Sequence, residues 1–582
     1  MMKFFIKEEE KNRKSILLNI IKKVKPDVIF LILCLPLIFI GVNNSWDVEW
    51  PDDLDHSRDI AQTQTILDGY YGSDPYYLNE YIWYNPGYHF VIAGLSLLLN
   101  IGVPATVIKM GPFLNLFPLI AFYVMVRIMF DWETALVSTM AYLFLTNTSY
   151  PLWVSSLYSP WSYPSTFSQA FFYITIGLFY RALKKDKKTK SYIIIGILLG
   201  VTFLFHASPA MIALGVITLC LLWEIVVKLK SHELTIHKSK ILLKKFLCIV
   251  IPTLILSMIF LYFMVWHYRL KIVNPLPGSW QWPQLTLESL PVLLQKELLQ
   301  ILTLIAAFGL IHWVMVKKDI AAKKILLSWL LVCVVWAGYS VLKSNITMLT
   351  LLPSVPIHHF YFYLKALAYI FFGFGIVSIF RLSWKVLKNN RVFIIKFNRH
   401  LLNQRFQWKA ELIFCIIAVV ILSVYIVFAY PLHKDVVETR IFPSSRIAQN
   451  YLIDAYNWIR QNTGNDDVFL CNNQFSMKVV APAARKVVVT HGQFSNPFVD
   501  FDERNEDRNR MIEDMKSGDL LSFHRLCQKY KTKYVIGRVA LLLKTHRYIR
   551  KYLKQVLGSG NVMIARIKFP KVLPPESQLI RE

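Results

Sequence analysis

Apolar runs of about 17–25 residues recur from Val28 to Tyr430, each long enough to cross a hydrocarbon core of about 30 Å. The first four stretches that read as full crossings are Val28–Val42, Ala105–Phe130, Thr134–Asn147 and Phe167–Leu183. Ser191 to Val227 is one apolar run with lysines at both ends, so it must turn back on itself. The turn falls at His206-Ala207-Ser208-Pro209, because proline disfavours helical geometry in the residue before it. Further spans are predicted near residues 246–266, 298–316, 325–342, 359–380 and 410–430. Tyr84–Leu99 is shorter and is entered through Asn85-Pro86-Gly87; it reads as a half-embedded helix. Roughly eleven crossings result.

After Tyr430 the pattern changes to mixed α/β. Ser445 to Arg460 carries a helical stripe of Ile447, Tyr451, Ala455 and Trp458. Asp467–Cys471, Lys486–Thr490, Tyr534–Gly537 and Val562–Ile567 read as strands. Glu506 to Tyr530 reads as helix broken near Ser517-Gly518, and Leu541 to Leu557 as a further helix before the Gly558-Ser559-Gly560 turn. Asp500 to Glu503 reads as a solvated loop. The predicted fold is a polytopic α-helical membrane protein (residues 1–430), with residues 43–84 as first outer loop, and a soluble α/β domain (residues 431–582). The latter has about enough chain for one small core.

Charge orients this plan. The 582-residue chain is 55% hydrophobic with a formal net charge of +28. Its basic clusters are Lys22 to Lys25, ahead of the first span, and Lys184 to Lys190, Lys228 to Lys245, Lys317 to Lys324 and Arg381 to Lys409, in loops between spans. Positive loops stay cytoplasmic. The N-terminus is then inside, the segment Asn43–Tyr84 outside, and the C-terminal domain extracytoplasmic, in a plasma-membrane protein. The positive charge thus follows from topology, and nucleic acid is not an expected partner. Val28–Val42 reads as a retained anchor. Of seven cysteines, Cys471 and Cys527 lie in the C-terminal domain and could pair if it is extracytoplasmic.

Against this basic background the outer loop is acidic: Asp47, Glu49, Asp52, Asp53, Asp55, Asp59, Asp68, Asp74 and Glu80, opposed only by Arg58. Such carboxylates can act as a general base, hold a divalent cation through Asp53 and Asp55, or keep the loop solvated. Behind them lie Tyr76, Tyr77, Tyr81, Trp83 and Tyr84, as an interfacial belt or as sugar-stacking platforms. No Walker loop, strand-linked GxGxxG or GxSxG elbow is present.

The order of a basic N-terminus, one span, an outer Asp-Asp-x-x-His motif (Asp52, Asp53, His56), a helix ending at Gly69 and an Asn-Pro-Gly-Tyr-His entry (Asn85 to His89) resembles the GT-C integral-membrane glycosyltransferases. The Gly200–Pro209 stretch is similar to a helix–His–turn–helix of that group. The resemblance implies transfer of a sugar from a polyprenyl-phosphate donor to a hydroxyl of a glycan, lipid or protein. Asp52 or Asp53 would be the base, Asp55 being an additional acid, and direct displacement would invert the anomeric centre. The leaving phosphate needs positive or hydrogen-bonding groups; the candidates for substrate binding are His56, Arg58, Tyr84, His89, His206, His358, His359 and Lys365. His358-His359 stands where relatives often carry arginine. The Trp-Trp-Asp signature of oligosaccharyltransferases is missing. A lipid-linked polysaccharide polymerase or ligase, a transporter, and a non-catalytic assembly subunit are the alternatives. Mostly clean spans and the absence of repeats speak against transport.

Overall fold

The computed structural model describes residues 26–51, 53–144, 158, 160–185, 189–232, 235–279, 300–316, 319–343, 358–389 and 445–570. Asp52, the predicted span at 410–430 and the boundary at residues 430–431 lie outside them.

The apolar runs fold as helices α1 (Pro26–Ser45), α2 (Leu54–Leu67), α3 (Gly87–Leu99), α4 (Val103–Leu114), α5 (Leu116–Met129), α6 (Trp132–Phe144), α7 (Pro164–Lys184), α8 (Thr189–Phe205), α9 (Ala207–Lys230), α10 (Ile236–Tyr262, continued by a π turn to His267), α11 (Ile301–Val316), α12 (Ile320–Lys343) and α13 (His358–Asn389). Five segments are long and apolar enough to cross a bilayer by themselves: Val103–Met129, Ala207–Lys230, Ile236–His267, Ile320–Tyr339 and His359–Ser383. Shorter apolar helices stand beside them at Asp27–Asn43, Gly87–Leu99, Thr189–Phe205 and Ile301–Val316. α7 is polar for a span because Thr166, Ser168, Gln169 and Thr175 face the interior, where all four are buried. The outward face of α10 is the reverse, with Ile251, Leu254, Ile255, Met258 and Ile259 exposed. A helix that turns such a face outward suits lipid, and the protein is a multipass membrane protein.

Helix ends sort by charge. Asp131 caps α6 and Asp319 caps α12, accepting from the backbone N–H of Thr134 (2.9 Å) and Ala322 (3.1 Å). The same carboxylates receive Arg381 from late α13 (3.1 Å) and Lys184 from the end of α7 (2.8 Å). Arg127 at the end of α5 meets Asp27 at the start of α1. These contacts gather one set of helix ends with the basic loops. Close helix approach needs small residues: a Cβ on Gly309 of α11 would sit 2.0 Å from the Phe371 carbonyl of α13.

The opposite end carries a five-stranded sheet, order β2-β1-β3-β5-β4, from β1 (Val468–Leu470), β2 (Lys486–Val487), β3 (Thr532–Arg538), β4 (Leu553–Ser559) and β5 (Val562–Ile567). β2-β1-β3 are parallel, and β3-β5-β4 antiparallel. α14 (Ser445–Asn462) covers one face; α15 (Phe501–Ser517) and α16 (Leu520–Tyr530) supply Met511, Met515, Phe523 and Leu526 to the other.

Three expectations need correction here. The helix expected over Leu541–Leu557 is two short helices, Val539–Leu543 and Arg547–Arg550, and then β4. Hairpin pairing with β5 through Gly560 (φ +52°) overrides the local apolar period. Asp500 is not in a loop but caps α15, accepting from Glu503 N–H at 3.0 Å. Cys471 and Cys527 are both free and buried, in cores on opposite faces of the sheet.

Candidate active site at the head of helix α2

Asp53 opens α2. Its extended backbone (φ −78°, ψ 135°) lets Oδ1 accept the Asp55 N–H at 2.9 Å, while Oδ2 accepts the Tyr163 hydroxyl at 2.6 Å. Tyr163 lies just before Pro164, the first residue of α7, so this bond joins the loop to the helix bundle. The His56 ring stacks on Tyr163 at 4.8 Å and 9°, with Trp161 6.1 Å away.

One face of α2 then concentrates charge, because positions 55, 58 and 59 are related by three and four residues. Arg58 Nη1 donates to Asp55 at 2.6 Å, and its Nε and Nη2 reach Asp59 at 2.9 and 2.8 Å. The guanidinium lies 4.2 Å from the Tyr84 ring centroid. Asp59 is fully buried. Burial outweighs the attraction of Arg58 and lifts the Asp59 pKa from 3.8 to about 7. Around this pair, Asp59 Oδ2, Tyr76 Oη and both ring nitrogens of His89 have no hydrogen-bond partner among the described residues. Buried polar atoms in that condition are costly.

The far end of α2 is clamped by the sheet region. Asp68 accepts both Arg460 terminal nitrogens, at 2.5 and 2.8 Å, and Arg485 at 3.4 Å. Asp74, fully buried and with its pKa raised by burial to about 6, accepts the N–H groups of Tyr76 (2.6 Å) and Tyr77 (3.1 Å) and the Asn496 amide (2.7 Å). Tyr76 and Tyr77 share a core with Ala455, Phe469 and Ile564. They therefore serve as no membrane belt; the loop is built into the sheet region because its tyrosines have an apolar face to bury there.

Other predicted residues separate into a second group. His206 caps α9, with Nδ1 2.8 Å from Ser208 Oγ, and its ring lies 4.7 Å from that of His359 near the start of α13. Lys365 is buried one turn and a half further on, its Nζ 5.3 Å from the Tyr361 ring centroid. His358 opens α13; its side chain is not among those described. The helix end before His206 meets the loop directly, since Asn85 donates to the Phe203 carbonyl at 2.6 Å. A Cβ on Gly87 would sit 2.9 Å from the Leu204 carbonyl, so only glycine fits there.

The sequence reading counted Asp59 only as one more acid of the loop and did not single out Tyr163 or Asn496. The spacing Asp55, Arg58, Asp59 could have flagged the first; nothing local signals the other two. For a metal, the described residues contain no cluster of three or more His, Cys, Asp or Glu. Asp53 and Asp55 each already serve protein donors, and the pair by itself makes a poor divalent shell.

No protein-family model matches the chain, and no curated protein matches it. Solved structures do. The Archaeoglobus fulgidus oligosaccharyltransferase in its apo form superposes with a TM-score of 0.54 at 12% identity, over 92% of this chain and 73% of that one. ArnT from Cupriavidus metallidurans, in its apo state and bound to undecaprenyl phosphate, gives 0.51 at 12% identity, over 94% of this chain and 99% of that one. The chain therefore shares the fold of this oligosaccharyltransferase and of ArnT.

Proposed function

We propose that the protein is a membrane glycosyltransferase that moves a sugar from a polyprenyl phosphate to an acceptor hydroxyl on the extracytoplasmic side. One observation carries this reading: in a GT-C fold, the loop after α1 places Asp53 at the head of α2, against Tyr163 at the start of α7. Asp53, or its neighbour Asp52, takes the proton of the acceptor hydroxyl as the oxygen attacks the anomeric carbon. The lipid phosphate leaves from the opposite face, which inverts that centre. A phosphate is a good leaving group, so neutralisation matters more than proton donation. The paired imidazoles of His206 and His359, and Lys365 behind them, supply positive charge or hydrogen bonds at the loop end of the bundle. Arg58, held between Asp55 and Asp59, orients the carboxylates. ArnT in complex with undecaprenyl phosphate supports a lipid carrier for a chain of this fold. The basic helix ends face the cytoplasm, and the sheet region, with the loop built into it, faces outward.

The test is transfer by the full chain in lipid vesicles, from a radiolabelled polyprenyl-phosphate sugar. Asp52, Asp53 and Asp55 are exchanged singly for Asn. Loss of transfer in the Asp52 or Asp53 variant, with folding retained, supports the reading. Full activity in all three would remove the aspartate mechanism.

A further inference from the structure

A cavity of about 300 Å³ lies between the loop and the edge of the sheet, away from Asp53. Tyr70, Asn79, Glu80 and Tyr81 line it from the loop, Asp466 and Lys486 from the sheet region. Its size is at the lower end of the small-ligand range, about 300–1,000 Å³. We propose that this cavity is a saccharide subsite, which holds a sugar unit of the acceptor remote from the reacting hydroxyl. The word "acceptor" rests on the transferase reading above; the binding of saccharide does not.

The chemistry of the lining selects the ligand. Tyr70 and Tyr81 are 46% and 36% exposed, and an exposed phenol ring offers a flat apolar face with a polar tip. Glu80 and Asp466 accept hydrogen bonds from hydroxyl groups and repel phosphate. Lys486 Nζ already donates to the Asp74 carbonyl and retains further protons for a ring or hydroxyl oxygen. Apolar face, hydroxyl acceptors and one donor together describe a neutral sugar better than a lipid tail or a polyanion.

The platform is also held in place. Tyr81 stacks on His267 at 3.7 Å, its N–H donates to Tyr268 Oη at 2.7 Å, and Tyr268 donates to Glu80 at 3.0 Å. A side chain fixed before binding loses less freedom when the ligand arrives. Position excludes the reacting hydroxyl: Thr65 also lines the cavity, and it lies twelve positions along the helix from Asp53, about 18 Å at 1.5 Å per residue. A ligand that reached both places would have to be an extended glycan.

Saturation-transfer NMR on the full chain in nanodiscs provides the test, with cellotetraose, chitotetraose and maltotetraose as probes. At least one is expected to bind. Tyr70→Ala and Asp466→Ala, both at exposed positions where folding is safe, should each weaken it about tenfold or more. Asp53→Asn should bind as the wild type does. Absence of binding by all three probes, or unchanged binding in both cavity variants, overturns the subsite. Saccharide binding by a wild type that transfers nothing sinks the transferase reading and leaves the subsite standing. Transfer lost in Asp53→Asn but unaltered in both cavity variants, for short and long acceptors alike, does the reverse.

Discussion

The two ends of the helix bundle hold charge in opposite ways. At the basic end Lys184 and Arg381 are about half exposed, at 55% and 50%, and they meet helix-capping aspartates at the surface. At the loop end Arg58 is 10% exposed and Asp59 is not exposed at all. Exposed pairs contribute little, about 0–1 kcal/mol, whereas taking an ion pair out of water costs several. A fold that only needed fastening would use the first kind. The second kind, beside partnerless polar atoms, is the arrangement on which the proposed site rests.

The comparison can be broken at either end. The largest effect is expected from Asp53→Asn: asparagine caps a helix as well as aspartate, so stability should hold while transfer falls about 10²–10⁴-fold. An unchanged rate would move the chemistry off this residue. Next is Arg58→Met, which leaves the buried Asp59 carboxyl without its partner, drives it to the protonated form and should cost about 2–4 kcal/mol in unfolding measurements. Adding Asp59→Leu should recover most of that loss; no recovery would mean the pair is not what Arg58 supports.

The third prediction concerns pH. Asp59 holds its proton up to about pH 7 in the native state and releases it near 3.8 when unfolded. Between these values the native chain binds the extra proton, so stability falls as pH rises through the window and levels off above it. Asp74, raised to about 6, acts with the same sign over a narrower range. Asp59→Asn should therefore flatten the upper part of the melting-temperature profile, from about pH 6 to 7; an identical profile would contradict the burial argument. Asp68→Asn, which weakens the clamp of Arg460 on the end of α2, should cost about 2 kcal/mol. The smallest change belongs to Arg381→Ala, at under about 1 kcal/mol. If Arg381→Ala cost as much as Arg58→Met, the contrast between the two ends would disappear.

Much of this was legible beforehand. The turn at His206 was signalled by Pro209 and by lysines at both ends of one apolar run, and α8 and α9 do meet there. The stripe of α14 and the break after Ser517 were equally local, and Gly518 (φ +93°) marks the latter. The site was legible as a segment, not as an arrangement. Asp53, His56 and Arg58 stood out as candidates because acids and a lone cation crowd into a few positions. Asp59 passed for one more acid, since its burial comes from elements distant in the chain.

The sequence by itself determined which stretches are apolar enough for lipid, where helices start and stop, and which loop carries the acids. Those properties depend on side-chain transfer energies and backbone preferences that act within a few residues. Only the tertiary structure decided that Leu553–Ser559 is a strand, that Tyr76 and Tyr77 belong to the sheet rather than the membrane, and that Tyr163 reaches Asp53. The first depends on the adjoining strand of a hairpin, the other two on partners more than a hundred residues away. Pairing and burial with such a partner outweigh the fractions of a kcal/mol by which local preference distinguishes one conformation from another.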